Sequence, residues 1–579
     1  MSSVLFVVPV FKEAIRQECN VTLLLATILK GNGIDTGIYR YYEASPDLGF
    51  DSFLDNSVNN ILSHNPQIVS FYCRGDSYLA NIMVAKKLKA IRPEIHIVFG
   101  GPQADITARE TMNQIPWVDY CCSGEGETTI YPLFKGLLNG EDITYIKGLT
   151  YRNTSNEIIS NPRPELIENL DELPFIDYTF IPQCTLSKNM ETPPKVLMDV
   201  GRGCPYNCAY CSTSLFWQRK FRLKSADRIV EEMKRLYDKY GIKKFVFDHD
   251  LFTASKKRVF EFCRVLKESG LGLEWSCSSR ADTIDKETIE EMASAGMRSI
   301  YMGIESGSPR MQKIMHKNLN IEKAMKTIKC LIDNKMRVTT SFIYGYPEET
   351  YEDLEETLKV IYSLYKYGNV SIQLHLCSIL PGTEYFSKYK KELVWAENFS
   401  DITGDFGVEE NIDFIREHKE LFPFYYEYHN ELRSRLNGLN KRIMLFMELY
   451  DYLITVDPEK YSDKRIIDLY LDFIDANEHI FKNDTDMVYS EIKQELYYNY
   501  ISSAYDEDNA QKFKEILTFK IDLQKIKEEG KDTSDVKIYN IDIDAVIKEK
   551  KLKDIRKRTS MVYITVVNNK VSCGVQYLD

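Results

Sequence analysis

The stretch Val200-Gly201-Arg202-Gly203-Cys204-Pro205-Tyr206-Asn207-Cys208-Ala209-Tyr210-Cys211 decides how the rest of the chain is read. It follows Lys195–Asp199, a short apolar run that reads as a buried strand. The three cysteines therefore stand on a loop at a strand's carboxyl end. With three and then two residues between them, they can converge on one metal centre. Thiolates are soft ligands suited to iron–sulfur clusters or zinc. Structural zinc wants four ligands, usually as two pairs, and no second pair lies nearby. Three thiolates with no fourth protein ligand point to a cluster with one iron left open. The other ten cysteines (19, 73, 121, 122, 184, 263, 277, 330, 377, 573) are scattered and read as small buried hydrophobes.

Outward from that loop, 195–385 alternates strand and helix signals. Strands are predicted at 195–199, 243–247, 274–277, 299–303, 337–343 and 370–376, with helices such as 227–240 and 286–295 between them. Six such units suffice for a partial (β/α)6 barrel of TIM type, whose working face lies at the strand carboxyl ends. Residues 1–140 alternate in the same way, with strands at 3–9, 35–42, 67–73, 95–99 and 118–122. This implies an α/β, Rossmann-like doubly wound sheet. Residues 141–194 read as a linker with a small hairpin. Residues 386–579 read as a mainly helical, tyrosine-rich region ending in a hairpin over 562–576 that turns at Asn568-Asn569.

At 579 residues the chain exceeds one hydrophobic core. Its 44% hydrophobic content is that of an ordinary folded protein. The net charge of -12 argues against a duplex nucleic-acid partner, which needs a basic surface. No apolar run approaches the length that spans a bilayer, and no signal peptide is evident. A cytoplasmic protein with reduced thiols, and no membrane partner, is the expectation.

The Cys204-x3-Cys208-x2-Cys211 motif resembles the signature of the radical S-adenosylmethionine (SAM) enzymes. The resemblance implies a [4Fe–4S] cluster on Cys204, Cys208 and Cys211, whose open iron chelates SAM. It also implies an external one-electron reductant such as flavodoxin or ferredoxin. Tyr210 matches the family's bulky residue near the adenine. Asp248, His249 and Asp250 stand where the family contacts the methionine amine. Ser278 and Arg280 are candidates for ribose and carboxylate, and Glu305 for a ribose hydroxyl or amine. Ile343 and Gly345 resemble the family's strand beside the adenine, and Leu380-Pro381-Gly382-Thr383 its closing turn.

The N-terminal unit resembles the cobalamin-binding domain fused to one class of these enzymes. The resemblance rests on Ser70-Phe71-Tyr72, Gly100-Gly101-Pro102 and Gly124-Glu125-Gly126-Glu127, and it implies that these turns approach the corrin. The chain departs from the common pattern in one place. The loop Cys73-Arg74-Gly75-Asp76-Ser77-Tyr78 offers no histidine as a lower ligand, and His64 and His96 lie in no such motif. A domain that kept the fold and lost the cofactor is the alternative.

Together the resemblances imply an enzyme that cleaves SAM to a 5′-deoxyadenosyl radical and modifies an unactivated carbon of a natural-product or peptide substrate by methyl transfer. Rearrangement, cyclisation, epimerisation or crosslinking without methyl transfer is the alternative. A non-catalytic cobalamin or cluster sensor is the remote one.

Overall fold

The computed structural model describes residues 3–10, 20–181, 195–396, 406–482, 489–528, 533–567 and 570–578. Cys19, Cys184 and the turn at Asn568-Asn569 lie outside them. The described chain forms two compact units, 1–348 with 369–431, and 349–368 with 432–579.

The first unit holds two parallel sheets. In the N-terminal one, Val4–Val8, Thr36–Arg40, Ile68–Tyr72, His96–Gly100 and Tyr120–Cys122 run parallel, with helices such as Asn20–Gly31 and Tyr78–Ile91 between them. Val4–Val8 is buried at all five positions, because a parallel strand is covered on both faces. The strand order places Val4–Val8 between Thr36–Arg40 and Ile68–Tyr72. This reversal of winding direction is where doubly wound sheets open a ligand crevice. The hairpin read as part of a linker instead extends this sheet: Leu149–Arg152 pairs antiparallel with Tyr120–Cys122 and with Ile158–Ser160. Helix Phe50–Ser63, not anticipated from the sequence, buries Phe53, Leu54, Val58 and Ile61.

The second sheet has six parallel strands in chain order: Lys195–Asp199, Lys244–Asp248, Glu274–Ser279, Met297–Glu305, Arg337–Tyr344 and Val370–Leu376. Its first and last strands do not pair, as in a partial barrel. Local chemistry sets the helix ends. Ser225 accepts from the Arg228 amide at 3.1 Å to start helix Ala226–Tyr240, and Gly241 ends it at φ 69°.

Part of the region expected to form a separate C-terminal domain belongs to this first unit. Phe406 packs edge-on against Phe50 and Phe53, Phe422 against Tyr78, and the Gln103 side chain donates to the Leu421 carbonyl at 3.0 Å.

The other unit gathers the later helices, among them Leu439–Val456, Ile466–Ala476, Tyr489–Ala504 and Glu507–Glu528, around helix Tyr351–Tyr365. The Tyr362 hydroxyl donates to Asp451 at 2.8 Å, and the Glu355 carboxylate accepts the Ile467 amide at 2.9 Å. The expected terminal hairpin is two strands of a three-stranded sheet, Thr533–Tyr539, Ser560–Val567 and Lys570–Tyr577. No helix among the described residues is long and apolar enough to cross a membrane.

Candidate functional site: a cysteine loop beside an interdomain cavity

The cysteine loop springs from a short antiparallel pair, Gly201–Arg202 with Arg222–Leu223. Gly203 has φ 84°, and a Cβ there would sit 2.0 Å from the Lys220 carbonyl oxygen, so only glycine turns the chain here. Beyond it, Cys204, Cys208 and Cys211 are half-buried and in no disulfide. The Ala209 amide donates to the Met315 carbonyl at 3.0 Å, and the Ala209 carbonyl accepts the Tyr385 amide at 3.2 Å, which fixes the middle of the loop. Burial pushes the Cys204 thiol up to about 11, and Cys211, Cys208 and Asp250 add to the shift. As thiolates, the three would need a cationic centre to offset their charge. Among the described residues no trio of His, Cys, Asp or Glu closes to the geometry of a single ion. A cubane cluster asks for a wider spread, since it takes each thiolate on its own iron.

Asp248 ends the neighbouring strand and Asp250 follows it. Both are reached by solvent yet sit in a recess that desolvates them. Burial and the Asp248 charge raise Asp250 to about 6, against hydrogen bonds from the Gly203 amide and the Thr213 side chain. Asp248 accepts from the Asn20 amide group at 3.0 Å. Two recessed carboxylates beside three cysteines suit a ligand that brings an ammonium group. His249 is turned elsewhere. Its Nδ1 accepts the Leu251 amide at 2.8 Å, its ring meets Phe221 edge-on, and burial lowers its pKa to about 4. In this arrangement it packs as a neutral ring.

The structure also commits two other expected SAM contacts to protein partners. Arg280 forms a fork with Asp282 at 2.8 and 2.9 Å, donates to the Lys317 carbonyl, and lies over the Tyr206 ring. Glu305 pairs with Lys317 at 3.0 Å, and the same ammonium reaches the Tyr210 hydroxyl at 3.4 Å. Lys317 escaped the sequence reading because nothing local marks it. Ser278 is half-buried near the end of its strand, Ile343 and Tyr210 are partly buried against the same core, and Gly345 turns at φ 78°.

The nine residues expected at cobalamin converge. Ser70, Phe71, Tyr72, Gly100, Gly101, Pro102, Gly124, Glu125 and Gly126 all line one cavity of about 380 Å³ at the sheet's carboxyl edge. Gly101 has φ 97°, and a Cβ there would come within 3.0 Å of Cys73 backbone and the Tyr72 ring. A Cβ on Gly100 would meet no protein atom and would project into open space. A bulky, largely flat ligand fits a cradle bared in this way. The opposite wall comes from the barrel unit: Ser212, Thr213, Leu215, Phe216 and Trp217, just past Cys211, with Pro381 and Gly382.

Glu125 has a second task. Its carboxylate, 1% exposed, takes Arg202 at 2.5 Å, Arg222 at 2.9 Å and the Ile167 amide at 2.6 Å. Arg202 also binds Glu127 and approaches Asp199 at 3.5 Å, and both guanidinium groups face the Trp217 ring. Burial works against the Arg202 charge, but Glu127, Asp199 and Glu125 outweigh it and raise its pKa. The Gly-Glu-Gly-Glu turn is thus bolted to the strand that delivers the cysteines.

The Radical SAM superfamily model matches residues 198–361, and the B12 binding domain model matches residues 22–133. An uncharacterized methyltransferase of Pyrococcus horikoshii is 34% identical over 299 residues, covering 52% of this chain and 64% of that protein. The anaerobic magnesium-protoporphyrin IX monomethyl ester cyclase of Rubrivivax gelatinosus is 28% identical over 284 residues, covering 47% and 50%. The chain thus spans between half and two thirds of these two relatives. Among solved structures, the cobalamin-dependent S-adenosylmethionine radical enzyme OxsB with aqua-cobalamin bound has the same fold, with a TM-score of 0.60 at 16% identity, covering 86% of this chain and 79% of that one. The chain joins a radical SAM domain to an N-terminal B12-binding domain, a pairing that implies a [4Fe–4S] cluster, S-adenosylmethionine and cobalamin as its cofactors.

Proposed function

We propose that this protein is a cobalamin-dependent radical SAM methyltransferase acting on an unactivated carbon of a small-molecule substrate of natural-product type. One observation supports the reading: the loop that bears the three cysteines continues directly, through Ser212, Thr213 and Trp217, into the wall of the cavity. When bound, the cofactors supply a methyl carrier and a hydrogen-abstracting radical. The chain's own residues orient them. Cys204, Cys208 and Cys211 hold the cluster. Asp248 and Asp250 accept hydrogen bonds from an ammonium group. Ser278 offers a hydroxyl toward the ribose, and Tyr210, Ile343 and Gly345 border the adenine. Arg280, held by Asp282 through Nε and Nη2, is the candidate for a carboxylate, and Glu305 acts through its pair with Lys317. The glycine turns at 100–101 and 124–126 let backbone approach the corrin. An external one-electron reductant such as flavodoxin or ferredoxin, and a cytoplasmic setting that keeps thiols reduced, complete the reading.

The test is anaerobic incubation of reconstituted protein, hydroxocobalamin, reductant and SAM. The expected products are 5′-deoxyadenosine and S-adenosylhomocysteine together. The similarity to a cyclase favours a second reading, radical cyclisation or rearrangement without methyl transfer. 5′-Deoxyadenosine without S-adenosylhomocysteine would select it. A peptide substrate docking on an edge of the C-terminal sheet is its extension. A chain lacking 520–579 that kept full substrate affinity would refute that docking.

A further inference from the structure

One loop serves two sites. Residues 203–221 leave the barrel at Gly201–Arg202 and return at Arg222–Leu223. The first half carries Cys204, Cys208 and Cys211, and the second half supplies Ser212 and Trp217 to the cavity wall. The base of the loop has no room to slide. A Cβ on Gly201 would lie 2.4 Å from the Arg222 carbonyl oxygen, and one on Gly203 would lie 2.0 Å from that of Lys220. Both strands of this base are gripped from the other domain. Arg202 and Arg222 share the Glu125 carboxylate, and Arg202 also holds Glu127. Glu125, Glu127 and Arg202 are themselves part of the cavity lining. A buried ion pair strands a charge in the interior when one partner moves away. The four charged groups Arg202, Arg222, Glu125 and Glu127 are therefore held to shift together.

We infer that Arg202 is a positioning residue that couples occupancy of the cavity to assembly of the cluster at Cys204, Cys208 and Cys211. A ligand that moves the Gly-Glu-Gly-Glu turn or Trp217 pulls on Arg202, two residues from Cys204. Cluster assembly fixes the same loop from its other half. Coupling of this kind is reciprocal: each ligand changes the other's affinity by the same factor. The inference rests on the reading of the cavity as a cobalamin site.

The experiment measures the dissociation constant of hydroxocobalamin by visible absorption. It compares the cluster-free protein with the same protein reconstituted anaerobically with iron and sulfide, for wild type, Arg202→Lys and Glu127→Gln. A residue with a purely structural role weakens binding equally in both forms and leaves their ratio unchanged. The expected wild-type ratio departs from 1 by about 5-fold or more, and both variants bring it toward 1 while still binding iron. Glu127→Gln keeps the Arg202–Glu125 pair and the side-chain volume, so the comparison survives if Arg202→Lys does not fold. A wild-type ratio of 1, or an unchanged ratio in the variants, overturns the coupling. Failure of hydroxocobalamin to bind either form overturns the cavity reading, and the coupling with it.

Discussion

Glu305 holds φ 68°, a left-handed conformation that costs a non-glycine residue about 1–2 kcal/mol. Its carboxylate meets the Lys317 ammonium in a setting where both side chains are less than a tenth exposed. Removing one partner leaves a buried charge, so Glu305→Gln and Lys317→Met should each destabilise the barrel unit by about 3–5 kcal/mol. The double variant should cost less than the sum by more than about 1 kcal/mol, measured as a double-mutant cycle in urea. Additive losses would show that the pair does not interact. His249 gives the pH dependence. Burial lowers its folded pKa to about 4, below the ordinary 6.5, so the unfolded chain takes the proton first. Its contribution is complete above pH 6.5 and is lost as pH falls toward 4. Asp250, raised to about 6, works in the opposite direction, because the folded state binds its proton more readily below that pH. Comparison with His249→Phe separates the two: the variant should lose about 2 kcal/mol less than wild type between pH 7 and pH 5. Equal acid sensitivity would refute the assignment.

At the scale of elements, the barrel strands are legible because short apolar or alternating runs bounded by polar breaks recur between helical patterns. Lys195–Asp199 and Val370–Leu376 fall where the pattern places them. The cysteine loop is legible because its spacing is local. Helix Phe50–Ser63 was hidden because Asp51, Ser52, Asp55, Asn56, Asn59 and Asn60 crowd its outer face and mask the apolar stripe. Strand Thr533–Tyr539 was hidden because it alternates Asp535 and Lys537 with the exposed Val536 and Ile538. The commitments of Arg202 to Glu125 and of Glu305 to Lys317 could not be read at all. They join residues 77 and 12 apart, and a charged residue does not announce its partner. Within the cysteine loop the element-scale requirement is Gly203. Gly203→Ala drives a Cβ into the Lys220 carbonyl and should sharply lower the iron bound per chain after reconstitution. Gly33→Ala is the control, since Gly33 shares a positive φ of 79° but has no atom within 4 Å of its would-be Cβ. It should cost about 1 kcal/mol of backbone strain and leave iron binding intact. Equal iron loss in both would mean that φ alone, and not the close approach at Gly203, sets the requirement.

For the whole molecule, the chain's path between units makes sequence position a poor guide to which core a residue serves. Phe422 lies more than three hundred residues from Tyr78, yet it packs against that ring at 6.1 Å and is 1% exposed in the core of the first unit. Phe446, only 24 positions further along, sits in the second core, with Tyr470 at 5.1 Å and Phe473 at 5.7 Å. Two cores that belong to separate compact units need not unfold in one step. Calorimetry of the full chain should therefore resolve two transitions. Phe422→Ala removes a buried ring from the first core, at about 3–5 kcal/mol, and should lower one transition while sparing the other. Phe446→Ala should do the reverse. The transition lowered by Phe422→Ala should also be the one that hydroxocobalamin raises, because the cavity belongs to the same unit. A single transition shifted alike by both substitutions would show that the two cores fold as one.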